Sequence, residues 1–243
     1  MASGKGTAQF NTASLVPGTY NATAEDTVQP AYSQPLQFEV AGQVVSPAGI
    51  LNYVPILITN NQSVATKAPF QQMIEVNAQN YASYESGGMQ NVEFSYSNGT
   101  IIPSWFEGSL ANESKTTSLN ESAGDVYWLK IANGIPAKSS ITVYMDFAAV
   151  GKNLLNSNST GEAPQLSSTY AQYDNGANIF NNYWNFAGTS MPSGFTEYSN
   201  GGSTRVDNGL NIDLASSGDY MSFVYGTPIS ANDTIVETYD SGI

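Results

Sequence analysis

Short runs of alternating apolar and polar residues recur along this 243-residue chain, and turn-forming residues separate them. The clearest run is YVPILIT, in which Val54, Ile56 and Ile58 fall on every second position. A period of two residues is that of a β-strand with one buried face. Pro55 lies inside the run and favours either an edge strand or the first residues of a strand, because proline cannot donate to a neighbouring strand. No amphipathic helix longer than two turns can be traced, so the pattern predicts an all-β protein.

Two further segments carry strand patterns. In NVEFSYSNGT, Val92, Phe94 and Tyr96 share one face, and Asn98-Gly99 is the dipeptide that favours a type I′ hairpin turn. In SITVYMDF, four apolar residues alternate on one face, namely Ile141, Val143, Met145 and Phe147. Consecutive strands joined by tight turns are typical of antiparallel sheets. We therefore predict antiparallel β-sandwich modules arranged in tandem.

The charge balance restricts the partners of the chain. It has 20 acidic and 7 basic residues, a net charge of −13, and only 11% charged residues. A phosphate backbone would be repelled, so nucleic acid is not an expected partner. The bases are unevenly placed, because after Lys152 only Arg205 remains against nine acids. A chain with so few bases gains little positive charge at low pH, which predicts tolerance of an acidic medium.

The chain contains no Cys and no His, which removes disulfides, thiol nucleophiles, Ser-His-Asp triads and the common zinc sites. Carboxylates are the remaining catalytic groups. The segment ETYD, Glu237 to Asp240, comes nearest to a glycosidase pair, but it lacks the usual spacing on one strand. Asp240 opens an Asp-Ser-Gly triplet, yet aspartic proteases need two such carboxylates. A turn or strand end is the favoured interpretation, and no catalytic residue is assigned.

The middle of the chain resembles a β-sandwich domain of unknown function found in archaeal and bacterial surface proteins. The residues that carry the resemblance are NVEFSYSNGTIIPSWF and VYWLKIANGIPAKSSITVYMDF, with Trp105, Trp128 and Lys130 in order, over roughly Gly49 to Phe147. In that family a concanavalin-A/laminin-G-like module often follows, and NIFNNYWNFAGTS, Asn178 to Ser190, is similar to its start. The resemblance implies a cell-surface protein or an archaeal virus attachment fibre, with no defined chemistry.

Four segments are expected from these observations. Residues 1–45 resemble the terminal strands of an immunoglobulin-like segment, and residues 46–150 form the central β-sandwich domain, immunoglobulin-like or jelly-roll-like. Residues 151–172 are rich in Asn, Ser, Gly and Pro and are predicted to be a linker. Residues 173–243 are predicted to begin the concanavalin-A/laminin-G-like β-sandwich, which is expected to be incomplete.

Candidate recognition and modification sites are aromatic residues and glycosylation sequons. Tyr81, Tyr84, Tyr183 and Trp184 mix with polar neighbours and are candidates for surface recognition, whereas Trp105 and Trp128 are expected in the core. Seven Asn-x-Ser/Thr sequons favour an extracellular glycoprotein. Their asparagines are Asn21, Asn61, Asn98, Asn112, Asn120, Asn158 and Asn232.

Cofactors are not expected, although oxygen ligands for a structural Ca²⁺ are present in the C-terminal part. Those ligands are Asp174, Asn175, Asp207, Asn208, Asp213 and Asp219, and no D-x-D-x-D-G loop orders them. No apolar run approaches about 18 residues, so no transmembrane segment is predicted in this chain.

Together these features predict a non-enzymatic extracellular module of a cell surface, an appendage or a virion. Its work would be adhesion, glycan or protein binding, or filament assembly, with self-association or other surface proteins as further partners. The alternative is an acid-stable, carboxylate-dependent hydrolase, either a glycosidase or an acid protease. A pair of buried acids in one cleft, with raised pKa values, would favour that alternative.

Overall fold

A computed structural model describes residues 18–26, 31–40, 42, 44–109 and 124–229. These residues form antiparallel β-sheets with one short α-helix and one 3₁₀ turn, Ala78–Tyr81. The strands are β1 Gly18–Ala22, β2 Glu25–Asp26, β3 Ala31–Tyr32, β4 Leu36–Val40, β5 Ile50–Asn60, β6 Phe70–Val76, β7 Val92–Ser95, β8 Ile101–Ile102, β9 Ser104–Ser109, β10 Asp125–Ile131, β11 Ser139–Ala148, β12 Thr160–Glu162, β13 Phe195–Asn200, β14 Ser203–Val206, β15 Leu210–Asp213 and β16 Tyr220–Tyr225; the helix is α1, Gly176–Ile179. The predicted all-β class is confirmed.

The chain divides into two compact units that interleave along the sequence. Unit 1 comprises Met1–Gln72, Asn77–Ser104 and Leu129–Leu154, and unit 2 comprises the rest. Predicted boundaries at 150 and 172 followed composition along the chain, whereas these units follow strand pairing between distant segments. The difference is largest in 151–172, the predicted linker. It contains β12, whose three residues are buried and which pairs with β9 at a sheet edge.

The main sheet of unit 1 has the strand order β5-β11-β7-β8. In β5 the burial alternates, with Val54, Ile56 and Ile58 on the inner face and their neighbours exposed, as the pattern predicts. β11 pairs β5 on one side and β7 on the other, so Met145 lies opposite both Val54 and Phe94. β5 lies at an edge of this sheet, which confirms the edge alternative for the strand that contains Pro55.

The β7–β8 connection differs from the predicted type I′ turn. Gly99 has φ +80°, but Asn98 does not adopt a positive φ. The Gly99 amide donates to the Tyr96 carbonyl (2.9 Å), and the Tyr96 amide donates to the Thr100 carbonyl (2.9 Å). This is the three-residue loop in which glycine supplies the left-handed position at a bulge. Here the Asn98 side chain accepts from the Thr100 amide (3.0 Å) instead of entering the left-handed region.

Also in unit 1, β1 pairs β4 and β2 pairs β3, both antiparallel. The sequences of β1 and β4 are GTYNA and LQFEV. In β1–β4, Tyr20 lies opposite Phe38. The immunoglobulin-like assignment of this segment stays a prediction.

The central sheet of unit 2 has the order β12-β9-β10-β6, and the unit boundary falls within its strands β6, β9 and β10. β10 is buried along both faces except at Lys130. Its Val126 and Trp128 pack in a core cluster with Trp105, and α1 contributes Ile179 to the same cluster. The expected core position of both Trp residues is confirmed. Two-stranded ladders, β13–β16 and β14–β15, complete the described part of unit 2.

Candidate functional site: an aromatic groove in unit 2

Asp174 is the polar centre of the site, and it lies just before α1. Its Oδ1 atom accepts from the Gly176 amide (2.9 Å), the Tyr183 hydroxyl (2.9 Å) and the Trp105 indole Nε1 (3.1 Å). Its Oδ2 atom accepts from Asn185 Nδ2 (2.6 Å). A carboxylate has about two lone-pair positions on each oxygen, so the protein fully engages Oδ1 and takes one position of Oδ2. None of the four donors belongs to a basic residue.

Tyr183 is held between Asp174 and the core aromatics. Its ring stacks on Phe180 (centroids 5.8 Å apart) and meets Trp105 edge-on (6.0 Å). Gly176 permits this position, because a Cβ there would overlap carbon atoms of the Tyr183 ring. Burial raises the pKa of Tyr183 well above its ordinary value, and the nearby charge of Asp174 raises that pKa further. The phenol is therefore a fixed hydrogen-bond donor and is poorly suited to acid–base chemistry.

A groove of about 470 Å³ opens beside these residues. Its lining is aromatic and small-polar, with no basic residue, and consists of Asp174, Ala177, Tyr183, Trp184, Asn185, Phe186, Ala187, Ser190, Met191 and Pro192. The Trp184 ring is supported by Phe195 (5.1 Å between centroids) and Tyr225 (4.6 Å), which belong to the paired strands β13 and β16. One wall of the groove therefore rests on a hydrogen-bonded ladder.

Phe186 has a strained backbone at the groove. Its φ is +52°, a left-handed value that is unfavourable for a bulky residue. The turn at the start of β15 holds it, because the Gly209 amide donates to the Phe186 carbonyl (2.9 Å). Asn208 adds two bonds to Gly188, one from its backbone amide (2.9 Å) and one to its side-chain oxygen (3.0 Å). Strain that the surroundings maintain in this way is common at binding sites.

The four predicted recognition aromatics separate into two groups. Trp184 and Tyr183 line the groove, although the Tyr183 hydroxyl is committed to Asp174 and is not a surface group. Tyr81 and Tyr84 lie in unit 1, where both rings pack near Phe147 (centroids 5.7 and 5.9 Å). Tyr84 keeps 44% of its surface exposed. Only the first two aromatics are therefore brought together with polar side chains in one concave site.

The sequons differ in their surroundings. Asn21, Asn61 and Asn98 are exposed, and Asn98 lies at the β7–β8 hairpin tip. Asn158 is also exposed, but its sequon ends in Thr160, which is 3% exposed and belongs to β12. Asn112, Asn120 and Asn232 lie outside the described residues, as do Glu237 and Asp240.

The structure does not gather the six candidate Ca²⁺ ligands. The carboxylate of Asp174 is occupied by protein donors, Asp207 pairs with Arg205 (2.9 Å), and Asp219 accepts from the Ser216 amide (2.7 Å). Within residues 18–109 and 124–229, as far as they are described, no group of three or more Asp and Glu residues could hold a metal ion. Whether the whole protein binds a metal stays a prediction of the sequence.

A second acidic feature lies in unit 1 and was missed at the sequence level. Glu93 on β7 and Asp146 on β11 are direct register partners, with exposures of only 6% and 0%. Burial, and then the charge of Asp146, raises the pKa of Glu93 from 4.5 to about 7. Burial also raises the pKa of Asp146 from 3.8 to about 6, and the Ser95 hydroxyl opposes this change. The alternation of β7 places Glu93 opposite the apolar face, but nothing in the sequence shows that this face is also covered.

The described fold defines the class of this protein as all-β, built from antiparallel sheets. No family model matches the chain, and no solved structure matches it. A similar protein is "Uncharacterized protein 562" of Sulfolobus islandicus rod-shaped virus 1, which is 35% identical over 164 residues. The match covers 63% of this chain and 26% of that protein, so the chain spans about a quarter of its relative. In the described part of the chain, no helix is long and apolar enough to cross a membrane.

Proposed function

We propose that the chain is a non-enzymatic module of an extracellular structure, on a virion or a cell surface, that recognises a glycan or protein through the groove of unit 2. The observation that carries the proposal is a concave site whose wall is aromatic, rigidly supported and mixed with small polar groups. Exposed aromatic rings on a rigid scaffold are the usual anchors of such contacts.

The similarity to a protein of an archaeal virus supports the virion version of this proposal. An attachment fibre made of β-sandwich modules, with a concanavalin-A-like module after the central domain, fits the antiparallel sheets and the low charge content. Neutral polar side chains and sequons on loops suit a surface that faces the medium. Adhesion and filament assembly are the roles that this architecture would serve.

The hydrolase alternative has one observation in its favour, the buried pair Glu93 and Asp146 with raised pKa values. Burial argues against it as a catalytic pair. Asp146 is fully covered and Glu93 is nearly so, so a substrate could touch neither carboxyl group without opening the sheet. A glycosidase or acid protease needs both groups to face its cleft. We therefore propose that the pair is structural.

The test is retention of the chain on intact host cells and on a glycan array, comparing wild type with Trp184→Ala. Removing the supported ring should lower retention by at least about tenfold, the size expected of a hot-spot aromatic. The matched control is Tyr198→Ala, which removes an exposed aromatic ring of unit 2 that does not line the groove. Equal retention of all three proteins would refute the groove. Glycan or peptide hydrolysis that is lost in Glu93→Gln would establish the alternative.

A further inference from the structure

The groove combines aromatic rings with a carboxylate that no basic side chain accompanies. Asp174 meets four neutral donors, and none of the lining residues is Lys or Arg. Among the described residues after Lys152, Arg205 is the one basic residue, and it pairs with Asp207. The groove is therefore electronegative, and it would repel an anionic ligand such as a sulfated or uronic saccharide.

The surroundings of Asp174 favour a cationic ligand over a neutral one. A carboxylate that contacts a sugar does so by accepting hydrogen bonds from its hydroxyl groups. Protein donors take three bonds at Oδ1 and one at Oδ2, so at most one position, on Oδ2, is left for such a contact. Its charge still acts on a ligand in the groove, because Coulomb attraction does not depend on a vacant lone pair. The neighbouring rings of Trp184 and Phe186 add the negative faces that attract cations.

We propose that the groove binds a basic side chain of a partner protein, an arginine guanidinium or a lysine ammonium, through the ring of Trp184 and the charge of Asp174. The inference rests on the proposed recognition function and specifies its ligand. Asn185 is a positioning residue in this arrangement. The Nδ2 of Asn185 donates to Asp174, and its backbone carbonyl accepts from the Tyr170 hydroxyl (2.6 Å). These two hydrogen bonds hold the wall between the carboxylate and Trp184 in place.

The experiment follows the indole Nε1–H signal of Trp184 by NMR in the full chain. The probes are N-acetyl-arginine amide, its uncharged analogue N-acetyl-citrulline amide, and the neutral oligosaccharide maltotriose. The arginine probe should shift the signal with at least about fivefold higher affinity than citrulline, the size expected of a cation–π contact with a nearby charge. Its affinity should fall between about 0.01 and 0.3 M salt, whereas that of citrulline should not.

Two variants separate charge from shape. Asp174→Asn should reduce the preference for arginine over citrulline to less than about twofold, while Asp213→Asn, an exposed acid outside the groove, should keep it. The salt dependence of the wild type gives the same information if Asp174→Asn does not fold. Equal binding of arginine and citrulline, or a shift with maltotriose alone, would overturn the basic ligand and keep a recognition groove. If no probe shifts the signal, the proposal of a basic ligand is also overturned. The Trp184→Ala retention assay then tests the proposed recognition function separately.

Discussion

The buried acids Glu93 and Asp146 should make unit 1 more stable at acidic pH than at neutral pH. Their pKa values rise from 4.5 to about 7 and from 3.8 to about 6 in the folded state. Between about pH 4 and 7 the folded chain therefore holds protons that the unfolded chain has released. Because the folded state binds more protons in this window, the free energy of unfolding falls as the pH rises. Below about pH 4 both states are protonated and the penalty disappears.

The size of this effect follows from the two pKa changes. One pKa unit corresponds to about 1.4 kcal/mol, so each carboxyl group disfavours the folded, ionised state by about 3 kcal/mol. Part of the change at Glu93 comes from the charge of Asp146, and that repulsion is counted only once. A loss of about 3 to 5 kcal/mol between pH 4 and 7 is large beside a typical domain stability of about 5 to 15 kcal/mol.

The variants Glu93→Gln and Asp146→Asn keep the side-chain shape and remove one ionisable group each. Each should flatten the pH dependence by about half and raise stability at pH 7 by about 1 to 3 kcal/mol. Asp213→Asn is the matched control, because its side chain is exposed. It should leave the slope of the wild type unchanged.

The assay must report on unit 1 by itself. Trp105, Trp128 and Trp184 all belong to unit 2, so tryptophan fluorescence follows the other unit. Amide hydrogen exchange in β7 and β11, measured from pH 4.5 to 7 and corrected for intrinsic exchange, gives the local opening free energy. Opening free energies that stay flat or rise over this range would refute the reasoning. So would Glu93→Gln with the slope of the wild type.

Two further predictions concern single positions. Gly176→Ala places a Cβ against the Tyr183 ring and should destabilise unit 2 by about 1 to 3 kcal/mol, measured by urea unfolding with tryptophan fluorescence; wild-type stability would contradict the packing. In a glycosylating host, mass spectrometry should find Asn98 occupied and Asn158 empty, because the hydroxyl of Thr160 is buried in β12 once the chain folds. Equal occupancy would show that sugar is added before β12 pairs.

Local pattern predicted the strands well and the contacts of the site poorly. β5 and the first half of β11 have the expected alternating faces, because one face is open to solvent there and leaves a period of two in the sequence. From Met145 to Ala148, β11 is buried on both faces. The sequence of β12 shows no such alternation. Its Thr-Gly-Glu sequence has the composition of a linker, and only pairing with β9 makes it a strand.

The groove shows the same limit. Trp184 and Tyr183 could be named from the sequence because aromatics beside polar residues are unusual, but Asp174 was considered only as a calcium ligand. Its bond to the Trp105 indole joins positions 69 residues apart. The Glu93–Asp146 pairing likewise depends on the register of β7 against β11, which no local pattern encodes.

The carboxyl groups of the two units differ in their surroundings, and this difference indicates which of them can take part in recognition. Asp174 is half-buried and accepts hydrogen bonds from four neutral donors beside an open groove. Glu93 and Asp146 face each other without a basic partner in register, and burial shifts both toward the neutral form. A charge that is held in place and accessible can select a ligand, whereas protons that are held and covered can only set the pH at which the sheet is stable. Recognition is therefore expected to respond to substitution at the groove, and stability to substitution at the acidic pair.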